Sequence, residues 1–338
     1  MTLGLAKSNS IRISVVVPMR NERASIRDLL NSLLAQTFSP TEIVIADGGS
    51  TDGTIEIIEE FIQAGAPIKL VRDTFALPGR ARNIAIQHAR EEWLAFIDAG
   101  IKPAPDWLAA LANKATDNDD VDVVYGMYQP VTDSFFKECA AIAYVPPPIA
   151  IDGDLVRSRS IASALMRRTV WEETGGFPEN LRSAEDLIFM RRIDELRFKV
   201  VHTSKALVYW SIRPNFRQTF KRFAAYARNN IRAGLFSEWQ RRLFIYYGII
   251  IASGLSGVIF GPRAVFLPLL LWLVFLVTRS AKALYFNRAS YPAGVGRNLA
   301  RLCLIVPIMA VLDAATFAGS VDWLLRDKLG LLKSGSET

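Results

Sequence analysis

Apolar and polar positions alternate in two rhythms along the first two hundred residues. Ile11–Val17 is a β-branched run ending at Pro18, the pattern of a strand buried on both faces. From about Ala24 to Gln36, Ile26, Leu29, Leu30, Leu33 and Leu34 recur at helical spacing. Glu42–Ala46 reads as a second strand, followed by a Gly-rich turn and a helix carrying Ile55, Ile58, Phe61 and Ile62. Ile68–Arg72 and Trp93–Ile97 read as further strands around a helix at Ala81–Arg90. Val121–Gly126 and Ala206–Trp210 add strands, Glu185–Leu196 adds a helix, and Pro146–Pro148 marks a loop. Repeated strand–helix–strand units predict an α/β fold with a mostly parallel sheet covered on both faces. Ligands of such sheets sit beyond the C-terminal strand ends.

The rhythm changes after Tyr209. Phe216, Phe220, Phe223, Ala227, Ile231 and Leu235 recur at helical spacing up to Trp239, with Arg and Lys on the other face. The pattern fits a helix lying in a membrane interface, or an amphipathic helix docked on the soluble domain; the apolar runs that follow favour the membrane. Leu243–Gly261, Ala264–Thr278 and Leu302–Ser320 are candidate spans, the third interrupted by Pro307 and Asp313. The loop between them carries Arg279, Lys282, Arg288, Arg297 and Arg301 and is expected to be cytoplasmic. Three full spans would put the basic tail outside, so the third segment is either re-entrant or an exception to the charge rule. The expected organisation is an α/β domain over 1–210, a basic interfacial helix over 211–242 and a membrane region of two or three helices over 243–338.

Composition agrees with this division. The chain has 338 residues, of which 51% are hydrophobic, enough for two domains and more apolar than a soluble protein needs. The formal charge of +7 is local: between Lys205 and Arg242 stand nine Lys or Arg residues and a single acid, Glu238. Beside apolar runs, such a block suggests anionic lipid headgroups rather than nucleic acid. Two cysteines, Cys139 and Cys303, and two histidines, His88 and His202, argue against a disulfide framework and a His-rich metal site. Met1–Ser10 lacks the apolar core of a secretory signal, so the first domain is expected in the cytoplasm at the inner (plasma) membrane.

Chemistry-bearing residues gather at the predicted strand ends. Ile45-Ala-Asp-Gly-Gly-Ser-Thr-Asp-Gly-Thr54 follows a strand and opens a helix, presenting Asp47 and Asp52 on a tight loop. Upstream, Val15-Val-Val-Pro-Met-Arg-Asn-Glu22 ends the first strand on Asn21 and Glu22. Gly79-Arg-Ala-Arg-Asn83 opens a helix with Arg80 and Arg82, suited to phosphate oxygens. Phe96-Ile-Asp-Ala-Gly100 places Asp98 just past another strand. Late in the domain, Gly175-Gly-Phe-Pro178 precedes Glu185 and Asp186 at a helix start. Taken singly, these are turns and helix caps; their shared position makes a site. No GxGxxG follows the first strand, which disfavours a dinucleotide enzyme.

In this order the motifs resemble the family 2 glycosyltransferases, inverting enzymes with a GT-A fold, over roughly residues 11–210. The resemblance implies that Pro18, Asn21, Glu22, Asp47, Asp52, Arg80, Arg82 and Asp98 line the donor side. Asp47 would meet the nucleotide base and ribose, with Asp52 in support, and Arg82 the diphosphate. Asp98 would bind a divalent metal, Mg2+ or Mn2+, and Asp186 would be the catalytic base. The chain departs from the family's Asp-x-Asp at Gly100, which stands where a second acid is usual. A metal could then rest on Asp98, donor oxygens and water, or Arg80 and Arg82 could carry more of the diphosphate charge. The expected reaction is inverting transfer of a hexose from a UDP- or GDP-sugar to a lipid-linked or polysaccharide acceptor. A non-catalytic nucleotide-sugar-binding membrane protein is the alternative.

Overall fold

The computed structural model describes residues 11–117, 120–151, 153–255, 261 and 266–331. The reading of Met1–Ser10 lies outside these residues. By internal packing the chain divides into two units, 1–129 with 149–210, and 130–148 with 211–338.

The first unit is built on an eight-stranded sheet. Chain order runs β1 (Ile13–Met19), α1 (Ile26–Leu34), β2 (Glu42–Asp47), α2 (Thr54–Gln63), β3 (Ile68–Arg72), α3 (Pro78–His88), β4 (Trp93–Phe96), β5 (Ile101–Pro103), α4 (Trp107–Thr116) and β6 (Val123–Val131). After α5 (Phe135–Tyr144) come β7 (Ile149–Ile151), β8 (Asp154–Val156), β9 (Ala164–Arg167), α6 (Arg168–Glu173), α7 (Glu185–Glu195) and β10 (Val200–Ser211). Strands lie in the order β3-β2-β1-β4-β9-β6-β10-β5, and β7 pairs with β8 in a separate ribbon. β3, β2, β1 and β4 run parallel, while β9 is antiparallel to both β4 and β6.

The period of two along each strand sorts side chains between two cores. Val15, Val17, Ile43 and Ile45 pack with Leu29, Leu30, Ile58 and Trp107 on one face. Val16, Val44 and Phe96 pack with Ala85, Ile86, Phe177 and Phe189 on the other. Both faces are therefore covered, as the unbroken apolar runs of β1 and β2 predict. β1 does not stop before Pro18: the strand continues to Met19, with Pro18 paired to Ala46 and Met19 to Asp47. β10 runs from Val200 to Ser211, well beyond the expected Ala206–Trp210, and β9, between β4 and β6, is a strand that the pattern does not mark. α3 begins at Pro78, where proline suits a first helical turn.

The second unit gathers α5 and the helices that follow the sheet. These are α8 (Phe216–Arg232), α9 (Phe236–Trp239), α10 (Arg241–Ala252), α11 (Leu267–Phe286) and α12 (Val295–Trp323). The helix predicted from Phe216 to Trp239 breaks at Gly234, which adopts φ +74. Leu235 then donates its N–H to the Asn230 carbonyl at 2.8 Å, the closure typical of a glycine-ended helix. Part of the first candidate span lies outside the described residues, and α10 itself ends at Ala252. α11 continues past Arg279, and α12 runs unbroken through Pro307 rather than turning back. Leu267–Phe286 and Val295–Lys328 are the two helices, among the described residues, long and apolar enough to cross a membrane.

Within this unit, Glu138 of α5 accepts hydrogen bonds from Arg297 and from Arg301 Nε, the latter at 2.5 Å. Asp313 is buried in α12 and accepts from Arg279 of α11 at 2.7 Å and from Tyr247 of α10 at 2.9 Å. Three helices are thus tied through one carboxylate, which satisfies a charge that apolar surroundings would not tolerate alone.

Candidate active site

The loops leaving β1 and β2 are sewn together by side chain to backbone bonds. Asn21 takes φ 55, a left-handed conformation that asparagine tolerates. Its Oδ1 accepts the Thr51 N–H at 2.8 Å, and its own N–H donates to Ser50 Oγ at 2.8 Å. Glu22 N–H donates to Thr54 Oγ1 at 2.9 Å, and Arg23 N–H to Asp52 Oδ2 at 3.1 Å. Asp52 also receives the Thr54 N–H at 3.1 Å and the Thr54 hydroxyl. These bonds hold its carboxyl below the usual range, against the opposing effect of burial. Asp47 is buried at the end of β2, where Oδ1 accepts from Ser50 N–H at 3.0 Å and from Ser50 Oγ at 2.6 Å. Gly48 leaves no room for a side chain, since a Cβ there would lie 2.4 Å from the Ala76 carbonyl oxygen.

A second cluster assembles where α3 meets the start of α7. Gly79 permits the approach: a Cβ on it would stand 2.1 Å from the Pro178 carbonyl oxygen. Asn83 fills all four of its hydrogen-bonding positions there. Its amide nitrogen donates to the Phe177 carbonyl and to Glu179, both at 2.9 Å. Its oxygen accepts from Trp171 Nε1 and the Phe177 N–H, also at 2.9 Å. Phe177 stacks on Phe189 of α7 at 3.9 Å between ring centroids. The Gly-Gly-Phe-Pro loop therefore fixes where α7 begins.

α7 begins on strained backbone. Ala184, the residue before it, holds φ 71, which costs an alanine of order 1–2 kcal/mol. Its neighbours Glu185 and Asp186 diverge. Glu185 is buried and accepts Arg82 NH1 at 2.6 Å, while Asp98 Oδ1 accepts Arg82 NH2 at 2.8 Å. One guanidinium, itself only 4% exposed, thus joins the starts of α3 and α7 to the end of β4. Its proton is held more tightly than usual by Asp98 and Glu185, which outweigh its burial.

Asp186 keeps some solvent contact but sits among densely packed groups, and Oδ1 accepts the Leu187 N–H at 2.9 Å. Burial and the neighbouring Glu185 charge raise its pKa to about 6; Arg82 opposes the rise and Asp98 adds to it. A carboxyl of this kind is poised to take a proton near neutral pH.

The structure brings Arg82, Asp98 and Asp186 into one electrostatic cluster, with Glu185, the other member of the late acidic pair, buried against Arg82. Pro18 is buried within β1. Arg80 lies apart from Arg82, donating to Asp73 at 2.9 Å and to Glu179 at 3.1 Å. The roles of Asn83 and Phe177 carried no sequence signal of pairing, because their partners are some ninety residues away.

A metal must fit this donor set. Among the described residues no group of three His, Cys, Asp or Glu side chains is disposed to hold a metal ion by itself. Asp98, however, is 42% exposed at its side chain and spends one oxygen on Arg82. Its carboxylate suits a hard cation that takes one or two protein oxygens and completes its shell with phosphate and water. The residues fit on those terms.

Comparison with known proteins places the domain. Residues 14–175 match the family described as Glycosyl transferase family 2. The poly(ribitol-phosphate) beta-N-acetylglucosaminyltransferase TarS of Staphylococcus aureus is 28% identical over 186 residues, 53% of this chain and 32% of that protein. The chain thus spans about a third of the length of the staphylococcal relatives it matches. Glycosyltransferase AglE of Haloferax volcanii is 26% identical over 239 residues, covering 69% of this chain and 77% of its own. In fold, the chain is similar to the mannosyltransferase PcManGT of Pyrobaculum calidifontis, solved with GDP-Man and Mn2+. That likeness has a TM-score of 0.57 at 21% identity, over 94% of this chain and 88% of the other. The strand-end motifs, the sheet and these matches agree: the sheet domain has the GT-A fold, and residues 14–175 are similar to the glycosyl transferase family 2.

Proposed function

We propose that the chain is a membrane-bound inverting glycosyltransferase that moves a hexose from a UDP- or GDP-sugar to a lipid-linked or saccharide acceptor. The observation that carries this reading is Asp186, a carboxyl of raised pKa on a strained helix start, beside the Arg82–Asp98–Glu185 cluster. In the reaction, Asp186 takes the acceptor hydroxyl proton as that oxygen attacks the anomeric carbon. The bond from carbon to the diphosphate oxygen breaks on the opposite face, inverting the centre. A divalent cation on Asp98 would supply charge neutralisation at the departing diphosphate. Mn2+ accompanies GDP-Man in the archaeal neighbour, which is a precedent of fold rather than of residues. Asp47 and Asp52, at the turn after β2, are assigned to the nucleoside and to shaping that turn.

The acceptor reading draws on two supports. TarS is named for a polymer substrate, poly(ribitol-phosphate). The apolar helices α11 and α12 expose Leu269, Leu270, Leu273, Val274, Leu299 and Val321, a surface suited to lipid. The basic residues Arg217, Lys221, Arg241 and Arg242 are exposed, and anionic headgroups would meet them.

The test is a pair of measurements on detergent-purified protein. Isothermal titration with UDP- and GDP-sugars should give binding that survives Asp186→Asn, while sugar transfer to membrane extract is lost in that variant. Binding with no transfer by the parent, whatever the acceptor, would favour the non-catalytic alternative. An unimpaired Asp186→Asn enzyme would remove Asp186 as base.

A further inference from the structure

We propose that Glu22 supplies the carboxylate missing at Gly100, so that a divalent cation at the donor diphosphate is shared between Asp98 and Glu22. The proposal rests on the donor-binding reading above and concerns which side chains hold the cation.

The sheet brings the two acids together. β1 and β4 are parallel hydrogen-bonded neighbours, with Val16 opposite Phe96. The segments leaving their C-terminal ends, one carrying Glu22 and the other Asp98 to Gly100, therefore emerge side by side. A Cβ built on Gly100 meets a single atom within 4 Å, Glu22 Oε2 at 3.9 Å. An aspartate oxygen lies about 2.4 Å from its own Cβ. The Glu22 carboxylate thus comes within about 1.5 Å of the shell on which the oxygens of an aspartate at position 100 would swing. With cation–oxygen distances of about 2.0–2.2 Å, a cation held from the side of that shell facing Glu22 is within reach of Glu22 as well.

Glu22 is held for the purpose rather than left to wander. Its N–H is fixed on Thr54 Oγ1 at 2.9 Å, and its Oε2 accepts the Ser25 hydroxyl at 2.5 Å. One hydrogen bond leaves the carboxylate with lone pairs on both oxygens. The charges around Asp98 also call for a cation. Arg82 already serves both Asp98 and Glu185, and the Oε2 atom of buried Glu185 has no hydrogen-bond partner among the described residues. Asp98, Glu185 and Asp186 therefore set three carboxylates against the one guanidinium of Arg82. A diphosphate brought beside them is repelled unless a cation comes with it.

Mn2+ binding to the full chain in detergent, followed by electron paramagnetic resonance of the free ion and by calorimetry, tests the proposal. The protein is first saturated with UDP or GDP, whichever it binds. Glu22→Gln should weaken Mn2+ binding by about tenfold or more, as should Asp98→Asn. Glutamine can still accept the Ser25 hydroxyl, so Glu22→Gln should fold, and its melting temperature checks this. The deciding variant adds Gly100→Asp to Glu22→Gln: the backbone there has room for a side chain, and most of the lost Mn2+ affinity should return. Two results overturn the proposal while leaving sugar transfer intact: a Glu22→Gln protein that binds Mn2+ as tightly as the parent, or a parent that binds nucleotide sugar but no Mn2+ with it. A parent that binds no nucleotide sugar at all overturns the donor reading instead.

Discussion

At the residue scale, proton affinity is set by neighbours distant in sequence. Asp186 faces Glu185 from its own helix, Arg82 from α3 and Asp98 from the end of β4. In the proposed role of base it must be ionised. Transfer is therefore expected to fall as pH drops through about 6 and to level off above it, read from kcat against pH. Glu185→Gln removes a negative charge that raises this pKa, so the acid limb should move to lower pH. Asp186→Asn should reduce kcat by about 10²–10⁴ with little change in donor affinity. Arg82 offers a different test. Its planar fork reaches two carboxylates at once, which a lysine cannot copy. Arg82→Met would leave buried Glu185 uncompensated, costing about 3–5 kcal/mol in denaturant unfolding, and Arg82→Lys should recover only part of it.

At the element scale, the site depends on how closely α3 and the loop before α7 can approach. Gly79→Ala would drive a methyl group into the Pro178 carbonyl. An overpacked contact of this kind costs about 1–3 kcal/mol, visible as a lower melting temperature. Transfer should fall further than stability alone requires, because α7 carries Asp186. The predicted elements largely match, since buried strands and one-sided helices imprint their period on sequence. The departures have local causes. Pro18 reads as a strand end because proline lacks an N–H, yet β1 continues through it beside β2. The basic helix reads as continuous because one turn of glycine-closed backbone barely disturbs an apolar spacing.

For the whole molecule, attachment to a membrane is the reading with the clearest test. If α11 and α12 sit in lipid, the expressed chain should sediment with membranes through both high salt and alkaline carbonate. Attachment through the basic face of α8 alone would be released by salt, which screens such charges within about 8–10 Å at moderate ionic strength. Packing within the helical unit adds a second expectation. A Cβ on Gly319 of α12 would lie 2.1 Å from the Ala224 carbonyl oxygen of α8. Gly319→Val should therefore part these helices and increase protease sensitivity in detergent, while Gly296→Ala, where nothing lies within 4 Å, should not.

The sequence by itself determined the α/β class, the burial of both sheet faces, the order of the strand-end motifs and the apolar character of the C-terminal third. Each of these is a property of local period and composition, which a chain displays without folding. It also put Asp98 at a strand end and Asp186 at a helix start, and the resemblance carried by the motif order singled them out. Tertiary structure alone decided that Arg82 lies buried between Asp98 and Glu185, that Asn83 pins the loop before α7, and that Glu22 lies beside Gly100. It also decided that residues 130–148 join the helical unit. Those pairings span from about 16 to more than 100 positions along the chain. Hydrogen bonds and ion pairs between residues so far apart leave no periodic trace; they exist once the sheet has fixed which strand ends are neighbours.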